Sequence, residues 1–213
     1  MQTSQELTRR PSPAPRPHPL AYVRDLLWIG SWETDRLYAL DPESWNVRQE
    51  IEAPGRPYGI TAMGDELRVV IAHEEDNRYL YRVNPTRGFD LASKTPCPDF
   101  TGSFLAADGS ALYLGQMSYQ RLLVLNGAMS VEREIALPTR CAGFAFASDD
   151  RLYMISGDDE LENLQFGRLD LSGEEPRFDA IRALPDEARS LAYDGARWWT
   201  CLRDANEIAS FTE

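Results

Sequence analysis

The stretch Ser190-Leu191-Ala192-Tyr193, then Asp194-Gly195-Ala196-Arg197, then Trp198-Trp199-Thr200-Cys201 reads as one β-hairpin. A short apolar run, a turn carrying Asp-Gly and a second apolar run are the signals for it. The same unit occurs four times upstream. Leu20-Ala21-Tyr22 leads into Leu26-Leu27-Trp28-Ile29-Gly30, and Gly59-Ile60-Thr61-Ala62 into Leu67-Arg68-Val69-Val70-Ile71. Ser103-Phe104-Leu105-Ala106 leads into Leu112-Tyr113-Leu114-Gly115, and Gly143-Phe144-Ala145-Phe146 into Leu152-Tyr153-Met154-Ile155. Aligned positions Leu20, Ile60, Phe104, Phe144 and Leu191 are 40, 44, 40 and 47 residues apart. A strand-built repeat of about that period indicates a β-propeller.

Each interval has room for four short strands. In the second copy these are 60–63, 67–72, 79–83 and 89–93, separated by Gly-Asp, Glu-Glu-Asp-Asn and Asn-Pro, residues that favour turns. The chain stops after the third strand of the fifth copy, while Gln5-Glu6-Leu7-Thr8-Arg9 supplies a spare strand at the start. The expected fold is therefore all-β: a five-bladed propeller of four-stranded antiparallel blades in one domain, 1–213. Residues 5–9 close the last blade and remove an open sheet edge. Residues 10–19, with Pro11, Pro13, Pro15, Pro17 and Pro19, form a linker, and blades start near 20, 60, 104, 144 and 191. Trp28, Trp45, Trp198 and Trp199 are expected to pack between blades.

Composition narrows the function classes. Of 213 residues, 43% are hydrophobic and 26% charged, the balance of a globular domain. The net charge of −12 disfavours phosphate backbones and anionic bilayers, so neither nucleic acid nor membrane is an expected partner. No apolar run approaches the roughly 20 residues that span a bilayer. The first ten residues lack the apolar core of a secretory signal. Cys97, Cys141 and Cys201 are scattered and odd in number, so no disulfide framework is expected, and a cytoplasmic location follows.

In a propeller, ligands enter at a mouth of the central channel. One mouth is lined by the segments that lead into the inner strands: Arg16-Pro17-His18, Arg56-Pro57-Tyr58, Phe100-Thr101-Gly102, Arg140-Cys141-Ala142 and Glu187-Ala188-Arg189. The loops after the second strands reach the same mouth: Ser31-Trp32-Glu33, Ala72-His73-Glu74, Gln116-Met117-Ser118, Ser156-Gly157-Asp158 and Leu202-Arg203-Asp204. Guanidinium groups converging in so acidic a chain call for an anion or for carboxylates among them. The functional expectation is a small anionic or zwitterionic ligand held by Arg16, Arg56, Arg140, Arg189 and Arg203 with Tyr58, Trp32 and Gln116. His18 or His73 would serve as acid or base. The alternative is that the arginines are inter-blade ion-pair ties.

No cofactor is expected. Zinc is disfavoured by two histidines and three scattered cysteines. Glu74-Glu75-Asp76-Asn77 and Asp158-Asp159-Glu160 lack the calcium-loop pattern, so no metal ligands are assigned. No P-loop or nucleophile elbow occurs. A different reading of the whole molecule is a protein-interaction platform presenting Trp32, Met117 and Tyr119.

The segments Leu37-Tyr38-Ala39-Leu40-Asp41-Pro42 and Leu191-Ala192-Tyr193-Asp194-Gly195-Ala196-Arg197-Trp198-Trp199 resemble blades of the YVTN-repeat, gluconolactonase-like and glutamine-cyclotransferase-like propellers. The resemblance covers nearly the whole chain at the level of blades. The five-bladed plant-type glutaminyl cyclases carry a Tyr-Glu-Ser-Thr-Gly segment, echoed here by Ser31-Trp32-Glu33-Thr34-Asp35. That echo implies an acyltransferase with Glu33 as acid/base residue, although the family's Phe-Thr-Gln-Gly-Leu segment is absent. The carboxylate/Asn metal cage of the gluconolactonase-like enzymes has no counterpart in this sequence.

Overall fold

The computed structural model describes residues 7–213. It contains twenty strands in five four-stranded antiparallel sheets. The chain opens with β1 (Thr8–Pro11). Blade one is β2 (Pro17–Val23), β3 (Leu26–Ser31), β4 (Arg36–Leu40) and β5 (Val47–Glu52). Blade two is β6 (Arg56–Met63), β7 (Glu66–Ala72), β8 (Arg78–Asn84) and β9 (Gly88–Pro96). Blade three is β10 (Phe104–Ala107), β11 (Leu112–Gln116), β12 (Arg121–Leu125) and β13 (Val131–Ala136). Blade four is β14 (Arg140–Phe146), β15 (Leu152–Gly157), β16 (Gln165–Asp170) and β17 (Arg177–Ala183). Blade five is β18 (Ala188–Tyr193), β19 (Trp198–Leu202) and β20 (Glu207–Phe211), completed on its outer edge by β1.

The second strand of each blade is buried on both faces, so its sequence is apolar nearly throughout. Alternate side chains serve opposite neighbours. On β7, Leu67, Val69 and Ile71 pack with Trp28 and Leu37 of blade one, whereas Val70 and Ala72 pack with Leu105 and Leu114 of blade three. On β15, Tyr153 and Ile155 meet Trp198 of blade five, and Leu152 and Met154 meet Phe104 and Leu122 of blade three. On β19, Trp198 turns to blade four and Trp199 to Leu27 and Ile29 of blade one. The core is thus five apolar wedges, one per blade interface. At about 25 cal/mol per Å² of buried apolar surface, these wedges hold the ring together. Trp28, Trp198 and Trp199 fill them, and Trp45 stacks on Trp199 with centroids 6.1 Å apart.

Closure is by the N-terminal strand. Thr8, Arg9, Arg10 and Pro11 pair with Ser210, Ala209, Ile208 and Glu207. Thr8 and Arg9 belong to the 5–9 stretch expected to close the ring, and the strand continues to Pro11; residues 5 and 6 lie outside the described residues. The connection is pinned by Ser12 N–H to Asn206 O (2.8 Å), Arg16 N–H to Asn206 Oδ1 (2.7 Å) and Trp45 Nε1 to Pro11 O (2.8 Å). The inner strand of blade one begins at Pro17, within the stretch expected to be linker. Pro17 and Pro19 are accommodated because one side of an inner strand faces the axis, and because the ladder is irregular between Pro17 and Leu20. The freed Leu20 N–H bonds Ser190 Oγ of blade five at 3.0 Å.

The inner strands crowd the axis. A Cβ on Gly143 would stand 2.6 Å from the Ser190 backbone, and one on Gly59 3.1 Å from Leu105 N. Glycine is needed where backbones approach this closely. Among the described residues, no helix is long and apolar enough to cross a membrane.

Candidate functional site

The entry ends of the inner strands meet around His18. It sits on β2 with 3% of its surface exposed. Its ring lies 4.2 Å from Trp32, 5.6 Å from Tyr58 and 5.6 Å from Phe104, centroid to centroid. Trp32 and Tyr58 touch each other at 4.7 Å. Blades one, two and three therefore cap the axis with four rings. Guanidinium groups stand over this cap: Arg203 4.7 Å from the Trp32 ring, Arg56 5.8 Å from the same ring, and Arg78 3.7 Å from Tyr58. Cations over aromatic faces are attracted by the ring quadrupole, most strongly where water is excluded.

The polar atoms of this cluster are poorly served. Both ring nitrogens of His18, Nε1 of Trp32 and the Nε atoms of Arg78 and Arg203 are buried without a hydrogen-bond partner. Buried polar groups are nearly always bonded, and leaving one orphaned costs about 1–3 kcal/mol. Burial, reinforced by the fields of Arg203, Arg189 and Arg78, holds His18 well below the ordinary histidine value. The ring is therefore a neutral imidazole at neutral pH, able to accept a proton.

The arginines differ in how far they are compensated. Arg78 pairs with Asp76 at 2.9 Å and donates to Gly102 O at 2.8 Å, tying blade two to blade three. Arg203 lies 3.7 Å from Asp204, and its side chain is 19% exposed. Arg189 donates to the carbonyls of Asp186 (2.8 Å) and Ala188 (2.7 Å). Burial and then Arg203 lower its affinity for its own proton. Among the described residues, neither Arg56 nor Arg189 has a carboxylate within ion-pair distance.

Other residues singled out from the sequence lie apart from this group. Arg140 pairs with Asp159 at 3.4 Å. Arg16 is exposed, anchored through its backbone to Asn206. Gln116 is a buried tie: its amide donates to Pro98 O and Thr101 O, and its oxygen accepts from Arg121 Nε at 2.6 Å. Glu33 is exposed, its N–H on Ser31 Oγ at 3.3 Å. His73 is turned to the outer part of blade two. Its Nε2 shares a 2.7 Å hydrogen bond with the Tyr81 hydroxyl, and its ring meets Tyr79 edge-on. Left-handed backbone at Glu75 and Asp76 (φ 59° each) folds that loop back. Arg78 and Phe104 join the site although sequence alignment assigned neither to it. Arg78 begins a third strand, and the signal available was the arginine that also begins β4 and β12.

At the opposite mouth the channel opens into a cavity of about 160 Å³ lined by Tyr22, Thr61, Phe146 and Tyr193 among others. Two larger clefts, about 340 and 430 Å³, lie between neighbouring blades and hold Arg68, Arg82 and Arg151, each ion-paired. The cysteines are buried and unbridged. Burial pushes the Cys97 and Cys141 thiols up to about 12.

No protein-family model and no curated protein matches the sequence. Solved structures match in fold. A virginiamycin B lyase from Staphylococcus aureus is similar with a TM-score of 0.59 and 12% identity, over 98% of this chain and 99% of that one. A PQQ-bound aldose sugar dehydrogenase from Streptomyces coelicolor gives 0.60 and 12%, over 93% and 79%. A glutaminyl cyclase from Myxococcus xanthus gives 0.56 and 14%, over 84% and 76%. At these identities the likeness is one of fold: this chain is a propeller resembling those of the lyase, dehydrogenase and cyclase groups.

Proposed function

We propose that this propeller binds a small anionic or zwitterionic molecule at the His18 mouth, with lyase- or hydrolase-like acid/base chemistry assigned to His18. The observation that carries this reading is the cluster of orphaned buried nitrogens on His18, Trp32, Arg78 and Arg203, beside the guanidiniums of Arg56 and Arg189. Donors left unpaired in the free protein are ready to be paired by oxyanion acceptors. An imidazole beside a bound ligand can exchange a proton with it, while the guanidinium groups hold negative charge that develops there. Trp32, half-buried on the loop after β3, has to turn outward for a ligand to reach the ring. Three buried, unbridged thiols fit a reducing compartment, and a cytoplasmic setting is part of the proposal.

The test is thermal unfolding against a panel of carboxylates, phosphates, sulfate and amino acids. A ligand at about 100 times its Kd stabilises the native state by about 2.7 kcal/mol. For a chain of this size that raises the melting temperature by about 5–10 °C. The rise is expected to vanish in Arg203→Ala and to shrink in Arg56→Ala. A flat response of the wild-type protein to every anion would reject the anion site.

A further inference from the structure

Two features of the His18 mouth define its ligand further. The first is charge. Arg78, Arg189 and Arg203 bring three guanidiniums to the ring, Arg78 and Arg203 with Asp76 and Asp204 close by and Arg189 in the field of Asp204, Asp186 and Glu187. Guanidiniums gathered around a buried neutral ring favour an oxyanion beside it. The second is the imidazole. His18 is enclosed by Trp32, Tyr58 and Phe104, and neither ring nitrogen has a partner. The charged groups that face it are Arg78 from blade two and Arg189 and Arg203 from blade five, all positive. The carboxylates near them, Asp76, Asp204, Asp186 and Glu187, act on the arginines. Tyr58 adds its phenol ring. Only the surrounding positive field and the lack of water oppose a proton on His18. An anion placed among the guanidiniums reverses the first and supplies an acceptor for the new N–H.

Resting on the anion site proposed above, we propose that an oxyanion bound among these guanidiniums brings a proton with it: His18 gains one proton from solvent as the anion binds. Sulfate, a phosphate ester and a dicarboxylate share this chemistry. By linkage, a bound state that holds one more proton than the free state binds its anion more tightly as pH falls.

Inorganic sulfate is the probe, because its charge is constant between pH 5.5 and 8. Calorimetric titration of the full chain, in two buffers of different ionisation enthalpy, is expected to show uptake approaching one proton per site. Affinity is expected to strengthen by up to about tenfold for each pH unit lowered. In His18→Gln, sulfate is expected to bind more weakly and without pH dependence. Should that variant fail to fold, His73→Gln leaves His18 as the single histidine of the chain. Its ring-nitrogen resonances are then expected to move from the neutral to the protonated pattern on adding sulfate. Sulfate binding with flat affinity, no proton uptake and unchanged resonances would overturn the coupling and leave the anion site standing. Binding of sulfate to His18→Gln with the wild-type pH dependence would overturn His18 as the group that takes the proton. Failure of sulfate to bind at every pH would remove the site and this inference together.

Discussion

At the residue scale, His18 is held at a cost to the fold. Unfolded, an imidazole titrates near 6.5. Folded, His18 keeps its neutral form to well below that. Protons therefore favour the unfolded chain, and this group's contribution to stability is lost as pH drops from 6.5 towards the folded value. His18→Phe removes the titration and the orphaned nitrogens while keeping a ring among Trp32, Tyr58 and Phe104. The variant is expected to melt about 2–4 °C above wild type for each kcal/mol of orphan cost relieved. The gap is expected to widen from pH 7 to pH 5 in scanning calorimetry, with sulfate no longer stabilising. A wild-type protein as stable as the variant at pH 5 would contradict this account. The sequence made much of the mouth legible, because aligned copies place His18, Tyr58, Arg56, Arg189, Trp32 and Arg203 at one end of the axis. It could not tell which way a loop turns. His73 shares the height of Trp32 and Arg203 in the alignment, but its loop folds back to Tyr81. Arg140 and Gln116 also match by position, yet Asp159 and the carbonyls of Pro98 and Thr101 claim them.

At the scale of elements, β1 and the inner strands carry most consequence. Removing residues 1–11 strips the partner from β20 and exposes its backbone donors and acceptors, the kind of edge that templates aggregation. The truncated chain is expected to melt well below the full chain and to elute as larger species in size-exclusion chromatography; an unchanged monomer with an unchanged melting point would refute the closing role. On β14, Gly143→Ala drives a methyl into the Ser190 backbone. Such overpacking costs about 1–3 kcal/mol, read as a lower urea midpoint at constant slope. The second strands were the easiest elements to read, since burial on both faces makes them apolar. Outer strands were harder. β9 runs Gly88–Pro96, beyond the 89–93 expected, because its exposed face leaves no apolar pattern to mark where pairing ends.

For the molecule as a whole, charge is arranged along the axis. Arginines gather at one mouth, and the hairpins between first and second strands carry Asp25, Asp65, Asp108, Asp149 and Asp194 around the other. Several of these carboxylates hold turns together. Although burial opposes it, backbone N–H groups of Ala111 and Ser110, with the Ser110 and Tyr113 hydroxyls, bring Asp108 down to about 2. Asp194 is lowered against burial by Arg197, Trp199 and turn N–H groups, and Asp149 by Arg151. Unfolded, such groups titrate near 3.9. Their stabilisation is complete above that value and is lost as pH falls through the lower folded ones. The melting temperature is therefore expected to fall steeply between pH 5 and pH 2; a plateau there would show that these turns contribute nothing. Blade number and closure were legible because repetition and a missing strand are properties of the whole chain. Function was not, because one ring supports unrelated chemistries through a few side chains at its mouth.

The pairing of Thr8 with Ser210 places the first and last strands side by side in one sheet. The ring is in effect a circle that the polypeptide happens to cut within its fifth blade. Joining the ends with a short flexible peptide and reopening the chain at an exposed turn of another blade, such as Gly109 or Gly127, would give a circular permutant with every interface and the whole His18 mouth preserved.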